Sequence, residues 1–543
     1  VKFARAFLPV FISASLLHAE VPKLEALFPS GGQVGSSFVV TASGKIEADA
    51  HLWTDAPGVY WVPNGKKREW QVSIAPEAKP GLYLVHAANA DGASEPRWFS
   101  VGSLPEITEV EPNDEVGKSQ ILEKLPVCVN ARLDKSGDMD GYTVKLAEGQ
   151  TLVGFIEAYS IGSGVDMLAN VLDEQGVRLH TASDARNLDP LIIFKAPKAG
   201  RYTVQLAGFP HPPTADIRFT GGSTTVYRLH LSNGPVVTQI FPAAVIAGAK
   251  TEVELVGHNL DPKKIKHIVE AGQIRQDGEV ALITQPGSLW PLQTALTAKP
   301  AQLEKEPNNS KDKATPVQVG SFAGRLMDKS DVDRFVITMK KGEKLQVRVF
   351  SKRLGLPLDA QLKIEGPDGK LITSVDDQSE QMPDPVAVWT AAVDGPHQVI
   401  IEDLFHQGAA DKAYVVELSV PVSAFEVSLA DAKPILLTAG KTVGLKATIK
   451  LLNGFKEALV VRVANLPAGV HAAEVAVPEK GGEVEIKLQA ATNAPAGNQA
   501  IQVGVWTKAE AANVKLAQAS LRGENKRGSS LRDDTSLIWL TVK

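Results

Sequence analysis

Apolar and polar positions alternate with a period of two over most of the chain. Leu345-Gln-Val-Arg-Val-Phe350, Val484-Glu-Ile-Lys-Leu488, Val443-Gly-Leu-Lys-Ala-Thr-Ile449 and Tyr414-Val-Val-Glu-Leu-Ser-Val420 all follow it. Successive strand residues point to opposite faces, so such runs predict strands with one face on a core and the other in water. Turn pairs separate the runs: Asp91-Gly92, Asn233-Gly234, Asp368-Gly369 and Asn453-Gly454. No stretch sustains helical periodicity over three turns. The pattern predicts an all-β chain, a tandem array of β-sandwich domains.

Two duplications organise the array. Glu109-Val-Glu-Pro-Asn-Asp114 recurs as Glu304-Lys-Glu-Pro-Asn-Asn309. Each copy is followed by an Asp-x-Asp and an aromatic residue: Asp138, Asp140 and Tyr142, then Asp331, Asp333 and Phe335. Upstream, Phe28-Pro29 with Gly35 matches Phe241-Pro242 with Gly248. Asp166 pairs with Asp359, Gly176 with Gly369 and Asp189-Pro190 with Asp384-Pro385. The copied unit is therefore a pair of domains, which indicates repeated modules rather than one site assembled from the whole chain.

Composition narrows the function classes. A chain of 543 residues exceeds one hydrophobic core. A net charge of −5 gives no basic surface for nucleic acid, so no nucleic-acid partner is expected. The basic residues Lys526, Arg527 and Arg532 sit among Gly and Ser and read as a solvated loop. Residues 1–19 read as a cleavable signal peptide: Lys2 and Arg5, an apolar run from Ala6 to Leu17, and Ala19 before the cut. The expected location is outside the cytoplasm: periplasmic, cell-surface or extracellular. No later run of about 18 apolar residues predicts a transmembrane anchor. Cys128, between Val127 and Val129, is the single cysteine; it reads as a buried structural thiol and allows no intrachain disulfide.

The stretches 105–232 and 300–420 resemble the bacterial pre-peptidase C-terminal domain, a β-sandwich found beside secreted peptidases and in clostridial collagenases. The matching residues are the Glu-x-Glu-Pro-Asn-Asp/Asn motif, the Asp-x-Asp-x-aromatic, Gly149 or Gly342 opening a strand, and Gly200-Arg-Tyr-Thr-Val204. The stretches 22–102 and 235–297 look like immunoglobulin-like domains of the TIG type. The last stretch is similar to sandwiches appended to secreted glycoside hydrolases, through Leu466-Pro-Ala-Gly-Val470, Ala494-Pro-Ala-Gly497 and Ile501-Gln-Val-Gly-Val505. The resemblances imply immunoglobulin-like and jelly-roll-like sandwiches in the order 20–103 (TIG-like), 104–232 (pre-peptidase-like), 233–298 (short TIG-like), 299–420 (pre-peptidase-like) and 421–543 (C-terminal, immunoglobulin-like).

The acidic motif points to a cation. Pro112 biases Glu111 toward extended backbone, which puts Glu109, Glu111 and Asn113 on one side. The same parity joins Asp138 with Asp140. Oxygen donors without His or Cys favour Ca²⁺ over zinc or copper. The collagenase resemblance implies calcium at this linker, with candidate ligands Glu109, Glu111, Asn113, Asp114 and Asp140, and in the second copy Glu304, Glu306, Asn308, Asn309 and Asp333. Asn309 stands where the first copy has an acid, and Gly137 and Ser330 replace a further Asp of the relatives. Turn and strand-capping chemistry by the same side chains is the alternative. Asp134 to Gly141 lacks the glutamate and flanking helices of a helix-loop-helix calcium loop.

Catalytic signatures are missing: no His-Glu-x-x-His, Gly-x-Ser-x-Gly, phosphate loop or dinucleotide fingerprint. His397 and His406 bracket Glu402 and Asp403 and read as a satisfied surface arrangement. The expectation is therefore no enzyme, but a binding or adhesion protein for an extracellular polysaccharide or protein. A structural spacer, or an accessory subunit of a secreted peptidase or glycosidase, is the alternative. Trp53, Trp61, Trp70 and Trp98 crowd the first domain with Tyr60 and Tyr83. Trp70 shares strand parity with Val72 and Ile74 and reads as core, whereas Tyr60-Trp61 must point to opposite faces, making it the place for an exposed ring. Collagen binding does not carry over, because most of Tyr142, Phe155, Tyr159, Tyr202, Phe335, Phe350 and Phe405 fall on apolar strand faces.

Overall fold

The computed structural model describes residues 20–215, 218–275, 278–379, 382–507, 514–523, 526–527 and 530–543. The expected signal peptide lies outside them. Among the described residues the chain is built of strands, with helix confined to three short 3-10 turns at Pro262–Lys264, Lys311–Lys313 and Lys352–Leu354. The strands form ten sheets that stack as five sandwiches in tandem. The chain is an all-β array, as the alternation predicts. In Lys344–Phe350 the side chains of Leu345, Val347 and Val349 are buried, and in Gly482–Ala490 those of Val484, Ile486 and Leu488. Each fully buried aliphatic side chain contributes about 1.5–3 kcal/mol of transfer free energy.

The acidic motifs sit where the chain enters a sandwich. Glu106–Thr108 pairs in parallel with Val127–Arg132 in one sheet, and Gln120–Ile121 pairs in parallel with Asp140–Leu146 in the facing sheet. The segment between them crosses from one sheet to the other and carries the motif. The second copy repeats this: Gln302–Leu303 joins Gly320–Arg325, and Thr315–Pro316 joins Val332–Met339.

The outer strand faces depart from the expectation of water on one side. Val226–Ser232 is buried throughout. Tyr227, Leu229 and Leu231 face the core, while Arg228 and His230 lie on the other face. Arg228 lies against Gly31 and Gly102 of the first sandwich, and His230 beside Phe155, which packs on Trp290 of the third. Arg228, 0% exposed, donates to Glu157 (3.1 Å), Asn130 (3.2 Å) and Glu106 (2.7 Å). Glu157 also lies 2.9 Å from His230 and accepts from Ser100 of the first sandwich at 3.1 Å. Cys128 is fully buried beside this cluster, its Sγ 3.9 Å from His230 Nε2. Gly31 is required here, because a Cβ would stand 1.9 Å from the Arg228 guanidinium and 2.2 Å from the Ser100 carbonyl. Ala413–Ser419 behaves alike: Tyr414, Val416 and Leu418 enter one core, and Ala413 and Val415 pack with Ala243 and Ala244 of the third sandwich.

The duplicated pair also repeats its internal contact. Arg132 lies over Phe28 at 5.0 Å, and Arg325 over Phe241 at 3.9 Å. The fifth sandwich folds back on the first: Trp539 stacks on His86 at 5.1 Å and meets Trp53 edge-on at 5.2 Å. Asn498 donates to the Asn89 carbonyl at 2.7 Å, and Lys543 pairs with Asp91 at 2.8 Å. The basic run corrects the expectation of a solvated loop. Arg532 pairs with Asp55, Lys526 stands 3.8 Å from buried Asp533, and the Arg527 amide donates to Tyr159. It is an interdomain clasp, because Asp55 of the first sandwich and the Tyr159 hydroxyl of the second engage it beside its own Asp533.

A second duplicated device explains the paired Asp-Pro sequences. Buried Asp189 accepts the amides of Ala158 (2.9 Å), Tyr159 (2.7 Å) and Ser160 (2.9 Å). Asp384 does the same for Ser351 (3.1 Å), Lys352 (2.8 Å) and Arg353 (3.0 Å). Each carboxylate closes a loop whose amides would otherwise lack partners. Asp189→Asn keeps one acceptor oxygen and removes the other, so a loss of about 1–3 kcal/mol is expected in urea unfolding. An unchanged midpoint would remove this role.

Candidate metal centre

In the first copy, carboxylate oxygens of Glu109, Glu111 and Asp140 lie within 4.8 Å of one another, and those of Glu111, Asp114 and Asp138 do likewise. Glu111 is common to both groups. Glu109 Oε1 accepts the Arg132 amide at 2.8 Å, which fixes the motif to the strand. Asp140, 0% exposed, accepts from the Tyr227 hydroxyl, itself 2.7 Å from that of Tyr142. Asp138, 1% exposed, accepts the Asp134 amide. Asn113 is buried; its backbone N–H donates to Glu111 at 2.9 Å, and its side-chain oxygen accepts from the Gly141 backbone N–H at 3.3 Å.

The second copy repeats the plan with fewer acids. Glu304, Glu306 and Asp333 bring oxygens within 4.8 Å of one another. Glu304 accepts the Arg325 amide at 2.8 Å, Glu306 accepts that of Asn308 at 2.9 Å, and buried Asp333 accepts from the Tyr414 hydroxyl. The Asn309 side-chain nitrogen donates to Asp331 at 2.9 Å. Its pairing replaces the Asp114 contribution of the first copy.

Several oxygens in these groups are buried without a hydrogen-bond partner: Oδ1 of Asp114, Asp138 and Asp140 in the first copy, and Glu304 Oε2 and Asp333 Oδ1 in the second. The Asn308 side-chain amide is also unpartnered. Burial and then the charge of Asp140 push Glu109 up to about 9. Burial, opposed by the Tyr227 hydrogen bond and reinforced by Asp138 and Glu111, pushes Asp140 up to about 8. Burial raises both Glu304 and Asp333, and the charge of Glu304 raises Asp333 further. Buried carboxylates at this separation must take up protons or a cation. An all-oxygen donor set fits a hard divalent ion.

Asp138, Tyr227 and Tyr414 are the residues that the ligand set drawn from the sequence leaves out. Asp138 carried a signal, its place in the Asp-x-Asp. The tyrosines carried only strand alternation, which marks them as core.

The aromatic expectations divide. Trp70 and Trp98 are buried, and Trp61 packs edge-on to Phe99 at 5.0 Å. Tyr60 is 62% exposed. Tyr142, Phe155, Tyr159, Tyr202, Phe335 and Phe350 are buried, whereas Phe405 is exposed. His397 is buried rather than on the surface, and Asp403 pairs with Lys412 at 2.7 Å. No helix among the described residues is long and apolar enough to cross a membrane.

No family model and no curated protein match the chain. Among solved structures it is similar to the periplasmic g-type lysozyme inhibitor PliG of Aeromonas hydrophila, at 12% identity and TM-score 0.15, covering 22% of this chain and 100% of that one. It is similar to immunoglobulin domains 1–4 of Sidekick-1 at 10% identity and TM-score 0.20, covering 96% and 99%. A third is the M60 catalytic domain with two CBM51 domains from Clostridium perfringens ZmpB, at 11% identity and TM-score 0.13. The match covers 73% of this chain and 55% of that one, little more than half its length. None of these likenesses carries a functional argument.

Proposed function

We propose that this chain is an exported, non-catalytic binding or adhesion protein whose sandwiches engage an extracellular polymer, carbohydrate or protein, and whose two acidic junctions hold calcium. The supporting observation is one arrangement made twice: buried carboxylate oxygens without hydrogen-bond partners converge where the chain enters each of two sandwiches, with Lys135 at 3.4 Å from Asp114 and 3.5 Å from Asp138 at the edge of the first. Glu109, Glu111, Asp114, Asp138 and Asp140, with Asn113 beside them, would hold the ion in the first copy. Glu304, Glu306, Asp333 and Asn308 would hold it in the second. The bound ion supplies positive charge that lets these groups ionise together and ties the crossing segment to both sheets. The first junction, richer in acids, binds the ion more tightly. The resemblance to pre-peptidase C-terminal domains supports the same assignment. A spacer is less well supported, because a fifth sandwich packed on the first gives up the reach of an extended array.

Calcium titration of the chelator-treated chain by calorimetry, with thermal melts alongside, tests the metal reading. Saturable uptake is expected, lost in Glu111→Ala/Glu306→Ala. A ligand at a hundred times its dissociation constant stabilises the folded state by about 2.7 kcal/mol, which moves a module's midpoint by roughly 10 °C. Absence of heat together with unchanged melts would leave the motifs as strand-entry architecture.

A further inference from the structure

The first, third and fifth sandwiches enclose a cleft of about 580 Å³. Its volume falls within the range of small-molecule sites, about 300–1000 Å³. Its lining includes Tyr60 and Asp55 from the first sandwich, Gln273 and Ile274 from the third, and Gln518 and Arg532 from the fifth. Three of these residues present buried polar atoms without a hydrogen-bond partner: Gln273 Oε1, Gln518 Oε1 and Arg532 Nε. Unsatisfied buried donors and acceptors are costly, and here they come from two different sandwiches around one cavity. Tyr60 and Ile274, 62% and 49% exposed, add apolar surface to the same lining.

We propose that this cleft binds a short stretch of a neutral oligosaccharide. The proposal rests on the reading of the chain as a polymer-binding protein, and it gives that reading a site and a ligand class. The unpartnered groups combine acceptors with a donor, and sugar hydroxyls serve both roles from one atom. The Tyr60 ring offers a flat face to the C–H side of a pyranose. Much of the lining charge is engaged within the protein, since Arg532 pairs with Asp55, and Asp533 pairs with Arg522 at 2.8 Å and accepts the Ser530 amide at 2.8 Å. Exposed Glu77 and Lys79 carry opposite signs and add no net charge to select an ionic ligand. Because the cleft exists only where three sandwiches meet, ligand binding also holds the folded-back arrangement together.

The full chain, with calcium present, is titrated calorimetrically with cellohexaose, xylohexaose, mannohexaose and maltohexaose. A proline-rich peptide serves as competitor. At least one saccharide is expected to bind, with affinity reduced about tenfold or more in Tyr60→Ala and in Gln518→Ala. Tyr60 is exposed, so its truncation leaves the fold intact, which matched melting curves verify. Binding unchanged in both variants, no binding across the four saccharides, or binding of the peptide alone overturns the proposal. Retention on insoluble polysaccharides and on protein fibres separates the two levels of failure. Retention that Tyr60→Ala leaves untouched removes the cleft and keeps the polymer-binding reading, whereas no retention on any polymer removes both.

Discussion

Glu157→Gln is expected to destabilise the second sandwich by about 3–5 kcal/mol, the usual cost of breaking a buried ion pair from one side. The carboxylate is the shared acceptor for Arg228, His230 and Ser100, so its neutralisation leaves a fully buried guanidinium with Glu106 as its remaining anionic partner. The same cluster sets a pH dependence. Burial opposes charge on Glu157, yet His230 and Arg228 hold it down to about 2. Burial also opposes charge on His230, yet Cys128 and Glu157 lift it to about 10. The depressed glutamate contributes stability that is present above its ordinary value of 4.5 and is lost as pH falls through about 2. The raised histidine contributes stability that is full below its ordinary value of 6.5 and is lost as pH rises through about 10. Urea midpoints should therefore peak between those ordinary values and fall on both sides, with both limbs flattened in Glu157→Gln. A variant whose midpoint and pH profile match the parent would show that the cluster contributes nothing net.

This cluster marks where the sequence stops being legible. Period-2 alternation identifies the inward face of a strand, and the all-β array follows from it. It treats every polar residue on the other face alike. Arg228 and His230 alternate with Tyr227, Leu229 and Leu231 as solvent-facing residues do, yet neighbouring sandwiches cover them. Nothing in the local pattern distinguishes water from another domain as the covering medium. The acidic motif was more legible, because duplication singled out residues that the fold brings together: Glu109, Glu111 and Asp140, and again Glu304, Glu306 and Asp333. Asn309 is placed beside that group, its side-chain nitrogen donating to Asp331 at 2.9 Å. The clasp was hidden by its composition. Lys526, Arg527 and Arg532 among Gly and Ser look solvated unless Asp55 and Tyr159 of distant sandwiches are known to be adjacent.

Arg522→Ala is expected to release the fifth sandwich from the first and second. The Arg522 guanidinium lies between the rings of Trp98 at 4.5 Å and Tyr159 at 4.4 Å. It donates to the carbonyls of Tyr159 and Ser160, both at 2.8 Å, and to Asp533 at 2.8 Å. It thus joins residues of three sandwiches, and Asp533 is fully buried behind it. Removing the guanidinium takes the strongest partner from a buried carboxylate, costing about 3–5 kcal/mol. The other contacts of the fifth sandwich, among them Trp539 with His86, Asn498 with Asn89, Lys543 with Asp91 and Arg532 with Asp55, are made by separate side chains. The core of the fifth sandwich, from Val427 to Val542, does not depend on Arg522. The loss therefore falls on docking rather than on folding. Small-angle scattering should show a larger radius of gyration, and limited proteolysis should cut the clasp while strand content by circular dichroism stays constant. Unfolding should split into two transitions, the docked sandwich leaving first. Arg522→Lys, which keeps the charge but not the planar fork between the rings, should fall between parent and alanine variant. A compact alanine variant with a single transition would place the docking energy elsewhere, in the Trp539 contact.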